Sequence, residues 1–89
     1  MAKKRRKLNK DFEKKIYSSK KNVELVLAKI YDIGDEDIQK EYMSAFNKVV
    51  YFYDELKADY ELQGFTDNSE ELLTNYKNAF NLFESEFEI

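Results

Sequence analysis

Apolar residues recur every three or four positions along most of this chain, and that period constrains the fold more than any other feature. The first series starts at Leu8 and ends at Ile33, with successive steps of 4, 4, 3, 4, 3, 4 and 3 residues. Its members are Leu8, Phe12, Ile16, Ser19, Val23, Val26, Ile30 and Ile33. Because this spacing places side chains on one face of an α-helix, we predict a helix over about residues 8–33.

Ser19 is the polar member of this series, and Ser18 precedes it directly. Two alternatives therefore stay open for the first helix. It either runs unbroken through Ser18-Ser19 or breaks there, which would give a short fourth helix at the amino terminus. At the other end, Gly34 is predicted to adopt the left-handed conformation that often ends helices.

Two more series of apolar residues predict helices over about residues 35–63 and 68–88. Asp35 is the predicted N-cap of the second helix, Gly64 is predicted to end it, and a residue among positions 67–69 is predicted to cap the third. The second series comprises Ile38, Tyr42, Ala45, Val49, Phe52 and Leu56, and the third comprises Leu73, Tyr76, Phe80, Phe83 and Phe87.

Three amphipathic helices with short connections predict an all-α fold, a small antiparallel three-helix bundle with a basic N-terminal extension. Residues 1–7 carry too much like charge to fold alone, so we predict a flexible basic arm there. Residues 8–89 are predicted to form a single helical domain, because a chain of 89 residues can build only one modest core.

Charge is distributed unevenly between the two parts of the chain. The first 22 residues contain ten Lys or Arg and two acidic residues, a charge of +8. The other 67 residues contain five Lys and sixteen Asp or Glu, a charge of −11. The overall charge of −3 therefore conceals a basic segment joined to an acidic body, and this asymmetry bears on binding partners.

The basic segment is the predicted nucleic-acid-binding site. On a helix, Lys10, Lys14 and Lys21 lie opposite the apolar face, and Tyr17 flanks them. Such a cationic ridge suits a phosphate backbone, while nothing in the segment predicts that bases are read. The predicted site comprises Lys3, Lys4, Arg5, Arg6, Lys7, Lys10, Lys14, Tyr17 and Lys21. The alternatives are a solvated tail and a segment that folds against the protein's own acidic helices.

A protein interface is predicted from residues that do not fit the apolar faces and from an acidic cluster at the carboxyl end. Leu25, Tyr51 and Leu82 are out of phase with the core series, and Met43 lies at its edge. Grouped exposed apolar residues mark a protein interface or a homo-oligomer contact. The predicted interface residues are Leu25, Met43, Tyr51, Leu82, Glu84, Glu86 and Glu88.

The composition excludes several classes of chemistry. The chain contains no Cys and no His, so it lacks thiolate and imidazole metal ligands and the commonest general base. The remaining Asp, Glu, Lys and Tyr residues show no spacing that pairs two groups for catalysis. We therefore expect a protein that is not an enzyme and holds no cofactor or metal.

The sequence also predicts where the protein works. No apolar run approaches the roughly 18–20 residues of a membrane span, and no apolar segment follows the basic amino terminus as in a secretory signal. We expect a cytoplasmic protein without membrane contact. Lys, Asn, Ile, Tyr and Phe make up 39 of the 89 residues, a bias typical of AT-rich codons that suggests a low-GC bacterium or one of its phages or plasmids as the source.

These observations lead to a function hypothesis with two alternatives. We expect a small regulatory or inhibitory protein that binds a nucleic-acid-handling machine, with the basic segment on nucleic acid and the acidic body on a protein. The first alternative is an acidic nucleic-acid mimic of the anti-restriction or anti-CRISPR type. The second is a structural or assembly protein that oligomerises through its exposed apolar residues.

Overall fold

The computed structural model describes residues 7–89, which form three α-helices: α1, Lys10–Tyr31; α2, Glu36–Gln63; and α3, Ser69–Glu86. The start of α1 lies beside the end of α2, because Asn9 N donates to Tyr60 Oη at 3.0 Å. The Tyr53 ring of α2 lies 6.0 Å from Tyr76 early in α3, and Phe46 lies 4.9 Å from Phe83 late in α3. Consecutive helices therefore run antiparallel, which confirms the predicted all-α three-helix bundle.

The first helix runs unbroken through Ser18-Ser19, so the described residues contain no short fourth helix. Ser19 is only 5% exposed, and its Oγ donates to the carbonyl of Lys15 at 2.8 Å. This bond satisfies the hydroxyl within the preceding turn, so a serine can occupy a buried position without breaking the helix. The helix is shorter than predicted by two residues at each end.

The ends of α1 are capped by residues that the apolar pattern did not identify. Asn9 caps the beginning, because its Oδ1 accepts from Phe12 N at 3.0 Å. The predicted left-handed conformation of Gly34 is wrong, since Gly64 is the residue with positive φ in the described chain. Instead, Gln39 Nε2 donates to the carbonyls of Ile30 at 3.2 Å and Tyr31 at 3.1 Å, and so satisfies the last turn of α1 from α2.

The predicted N-cap of α2 is confirmed, whereas the start of α3 has no side-chain capping hydrogen bond from the N-cap residue. Asp35 Oδ1 accepts from Asp37 N at 2.9 Å and Ile38 N at 3.0 Å. Asn68 occupies the N-cap position of α3 but its side chain makes no capping hydrogen bond. The connection is held by Thr66 N, which donates to Ser69 Oγ at 2.8 Å.

The core lies between the inward faces of all three helices, with α2 contributing its deepest residues. Phe46, Val49 and Leu56 of α2 and Ile30 of α1 are almost completely buried. Burying such side chains stabilises the fold by about 1.5–3 kcal/mol each. Met43, Val50 and Phe52 pack around them as partly buried residues. None of the helices within residues 7–89 is long and apolar enough to cross a membrane.

Candidate nucleic-acid interface

The chain just before α1 is fixed to the connection between α2 and α3. Phe65 N donates to the carbonyl of Lys7 at 2.6 Å, and Lys7 and Gly64 form an isolated parallel β-bridge. Gly64 has φ 74° and ψ −156°, a backbone region where glycine is favoured. The amide of Phe65 therefore faces Lys7 instead of closing back on α2. This contact places Lys7 at the end of the bundle where α2 connects to α3.

Tyr60 of α2 holds the first turn of α1. Its hydroxyl accepts from Asn9 N at 3.0 Å and donates to Glu13 Oε2 at 2.5 Å. Phe12 completes the contact, with ring centroids 5.7 Å from Tyr60 and 5.1 Å from Phe65. Because these contacts lie on the inner side of α1, they orient the lysines that follow in the same helix toward solvent.

The predicted nucleic-acid-binding residues fall into two groups. Lys3, Lys4, Arg5 and Arg6 lie outside the described residues. Lys7, Lys10, Lys14 and Lys21 are exposed, and Tyr17 is 57% exposed. Lys21 Nζ lies 5.0 Å from the Tyr17 ring centroid, a cation–π distance. These residues form a cationic surface along the first half of α1.

The structure adds a groove between α1 and α3 that the sequence did not predict. We name it the α1–α3 groove, and its volume is about 270 Å³. It is lined from α1 by Lys14, Lys15, Ser18, Ser19 and Asn22, and from α3 by Tyr76, Lys77, Phe80 and Asn81. All its charged lining residues are lysines, so α3 contributes positive charge to a surface that the sequence assigned to α1 alone.

The polar side chains at the mouth of the α1–α3 groove have no partners within the described chain. Lys14, Lys15 and Lys77 form no ion pair within 4.0 Å. The side chains of Ser18, Asn22 and Asn81 make no hydrogen bond there either. Their donors and acceptors are therefore available to a ligand.

The floor of the groove is packed against the core. Tyr76 is buried, and its hydroxyl donates to the backbone carbonyl of Ser19 at 3.3 Å. Burial raises the pKa of Tyr76, while the hydrogen bond with Ser19 lowers it and Tyr53 and Glu84 raise it further. The ring of Phe80 lies 5.9 Å from Tyr76 and 6.1 Å from Phe46. These contacts hold the Phe80 ring in place at the groove wall.

Lys77 and Asn81 were missed because the sequence gives no sign of which side of α3 meets α1. Their separation of four residues does place them on one side of the helix. That side belongs to the acidic body, whose net charge is negative. Only the placement of α3 next to α1 brings Lys77 into the lining of a groove that also contains Lys14 and Lys15.

The predicted apolar interface residues are not gathered on one surface. Tyr51 and Leu82 are 58% and 52% exposed. The Tyr51 ring lies 5.4 Å from Phe52, and Phe52 and Leu82 both line a second groove of about 220 Å³, which we name the α2–α3 groove. Leu25 is exposed on α1, away from this groove, while Met43 is partly buried and packs against the core.

The acidic cluster at the carboxyl end is exposed to solvent. Glu84, Glu86 and Glu88 are all exposed, and none forms an ion pair within the described chain. Phe87 stacks on Phe83 with centroids 5.1 Å apart and an interplanar angle of 14°. The aromatic residues that alternate with these carboxylates therefore belong to the core and fix the end of α3.

The acidic side chains between residues 7 and 89 form no group that could hold a metal ion. No protein-family model matches this chain, and comparison with curated proteins and with solved structures finds no similar protein. The functional argument therefore rests on the cationic surface of α1 and on the α1–α3 groove.

Proposed function

We propose that this chain is a small non-catalytic regulatory or inhibitory protein that binds nucleic acid through α1 and a protein partner through its acidic body. The partner would be a component of a nucleic-acid-handling machine, in keeping with a phage or mobile-element origin. The positive segment would direct the protein to phosphates, and the acidic helices would contact basic protein surfaces.

One observation carries this proposal: four exposed lysines of α1 form no ion pair with the acidic residues that the structure describes. Lys10, Lys14, Lys15 and Lys21 form no ion pair within 4.0 Å among residues 7–89, although the rest of the chain is rich in Asp and Glu. Their attraction for an external polyanion is therefore retained. Lysines that contact phosphates release condensed counterions, which supplies most of the affinity in sequence-independent binding.

The test is a salt series with labelled oligonucleotides, single-stranded and duplex, followed by fluorescence anisotropy. Contacts to ~5–7 phosphates of a duplex would give a slope of log K against log salt near −0.9 per contact. The variant Lys10→Gln, Lys14→Gln, Lys21→Gln should bind more weakly with a shallower slope. Absence of binding by the unmodified protein even at low salt would contradict the proposal.

A matched control separates a local site from overall charge. The variant with Lys40, Lys48 and Lys57 changed to Gln loses an equal charge from exposed positions on α2, outside the proposed surface. We expect it to retain most of the affinity. Equal losses in both variants would mean that net charge alone governs binding. A variant with Lys3, Lys4, Arg5 and Arg6 changed to Gln measures the share contributed by the arm.

The exposed carboxylates Glu84, Glu86 and Glu88 favour the second candidate function, an acidic mimic that occupies a nucleic-acid-binding channel. Both candidates predict a protein partner, which is identified by what co-purifies with the tagged protein from its host. Changing the three residues to Lys should release a partner that recognises this cluster. A partner retained unchanged would exclude the cluster from the interface.

A further inference from the structure

The α1–α3 groove combines three features that a nucleotide requires. Lys14, Lys15 and Lys77 place three ammonium groups around it, Asn22 and Asn81 supply amides, and Phe80 supplies an aromatic wall. We propose that this groove is a subsite for one nucleotide of a single-stranded nucleic acid, with its phosphate on the lysines and its base against Phe80. The inference rests on the proposed contact with nucleic acid and specifies the form of the strand and the binding residues.

The dimensions favour a single strand over a duplex. A volume of about 270 Å³ corresponds to about nine water molecules, which is on the order of one nucleotide. A duplex is wider than the space between two packed helices, and its base faces are covered by stacking. An unpaired base can leave its neighbours and stack on an aromatic side chain, as single-strand-binding proteins require.

The side chains that line the groove suit both the phosphate and the base of a nucleotide. The lysines have no carboxylate within 4.0 Å in the described chain, so none is held in an ion pair that a phosphate would have to displace. Asn22 and Asn81 each offer a donor and an acceptor, and neither side chain is engaged within residues 7–89. An amide can adapt to the edge of different bases, so this subsite would tolerate many sequences.

The preorganisation of Phe80 strengthens the assignment. Its ring is held from behind by Tyr76 and Phe46, at centroid distances of 5.9 and 6.1 Å. A fixed ring loses little conformational freedom when a base stacks on it. The groove floor is likewise fixed by the hydrogen bond from Tyr76 Oη to the Ser19 carbonyl.

The α2–α3 groove provides a matched control on the same protein. Like the α1–α3 groove, it is lined by two asparagines and a phenylalanine, here Asn75, Asn78 and Phe52, and it also contains Lys48. It has a single lysine where the α1–α3 groove has three. We therefore expect Lys48→Gln and Phe52→Leu to leave binding unchanged, whereas the equivalent changes at Lys77 and Phe80 weaken it.

The experiment uses the full chain and four labelled probes of ten nucleotides: oligo(dT), oligo(rU), an abasic strand of the same length and a duplex. At 0.1 M salt, Lys77→Gln should weaken binding of the single strands about fivefold and reduce the salt slope by about 0.7, the contribution of one phosphate contact. Oligo(dT) or oligo(rU) should bind at least about fivefold more tightly than the abasic strand, since base stacking contributes at least that much.

Phe80→Leu should abolish this preference for strands with bases, while Phe52→Leu should keep it. Circular dichroism checks that both variants fold. If Phe80→Leu fails to fold, the comparison of Lys77→Gln with Lys48→Gln and the comparison of abasic with base-containing strands still decide the question. The inference is wrong if Lys77→Gln behaves like Lys48→Gln, if abasic and base-containing strands bind equally, or if the duplex binds most tightly. Binding to none of the four probes would instead overturn the proposed function itself.

Discussion

Helix α3 meets its two neighbours in different ways. Against α2 it presents aromatic rings that interlock, with Phe83 4.9 Å from Phe46 and Phe87 4.8 Å from Tyr42. Against α1 it makes the Tyr76 hydrogen bond to Ser19 and leaves an open groove with Lys77 at its edge. The first contact consists of apolar surface removed from water, and the second keeps polar groups in water.

This difference separates stability from binding on a single helix. Burial of apolar and aromatic side chains supplies the free energy that offsets chain entropy. Exposed lysines contribute little to folding, because charged side chains stay solvated in either state. Substitutions on the α2 side of α3 should therefore change the free energy of unfolding, and those on the α1 side should change ligand affinity. Four predictions test that separation.

The largest effect is expected from Phe46→Ala on the aromatic side. Phe46 is completely buried, and removing its ring leaves a cavity that should lower the free energy of unfolding by about 3–5 kcal/mol. Urea denaturation followed by circular dichroism measures this change. The exposed control Leu25→Ala should cost no more than about 0.5 kcal/mol. Similar losses in both variants would show that the aromatic contact does not dominate stability.

The second prediction concerns the α1–α3 groove. Changing Lys14, Lys15 and Lys77 to Gln together should weaken single-strand binding about 100-fold at 0.1 M salt and reduce the salt slope by about 2, because each phosphate contact contributes about fivefold. The free energy of unfolding should change by less than about 0.5 kcal/mol. A large loss of stability with unchanged affinity would reverse the proposed separation.

Tyr60→Phe should have an intermediate effect that links the two regions. It removes the hydroxyl that bonds Asn9 N and Glu13 Oε2, and we expect a loss of about 1–2 kcal/mol. Hydrogen exchange should then accelerate at the amides of Asn9 and Phe12. The control Tyr51→Phe removes an exposed hydroxyl that bonds Glu55 and should alter neither quantity. Unchanged exchange would mean that Phe12 alone holds this turn.

The smallest effect is expected from Tyr76→Phe. The hydrogen bond to Ser19 should contribute about 0.5–1.5 kcal/mol near neutral pH. Because burial raises the pKa of Tyr76 in the folded state, an unfolded chain ionises first, and stability should fall as pH rises above the ordinary tyrosine value of about 10. The variant should lose less stability between pH 10 and 11, as measured by urea denaturation. An equal loss in both proteins would exclude Tyr76 as a source.

Much of the fold could be predicted from the spacing of apolar residues. The three helices were placed to within about two residues of their observed ends, because a stripe at helical spacing is a local property. Gly34 was misassigned because the side chain of Gln39, from the next helix, satisfies the carbonyls at the end of α1. A cap supplied from another element leaves no signal in the local sequence.

The candidate site was predicted only in part. Lys10, Lys14, Tyr17 and Lys21 were assigned from charge and helical phase, both of which can be read along one helix. Lys77 was not, since it lies in a segment whose overall charge is negative. Net charge averages over a helix, whereas a groove depends on the few residues that line it.

The sequence by itself determined the three helical segments, most of the faces they bury and the separation of positive from negative charge, and it left open whether the first segment is continuous. Those properties depend on residue order within each helix, where position around the axis follows from the 100° turn per residue. The tertiary structure alone decided which helix faces meet. It brought Lys77 to Lys14 across the α1–α3 groove and fixed Lys7 beside Gly64. Such contacts depend on how side chains of separate helices interlock, and no local pattern encodes that arrangement.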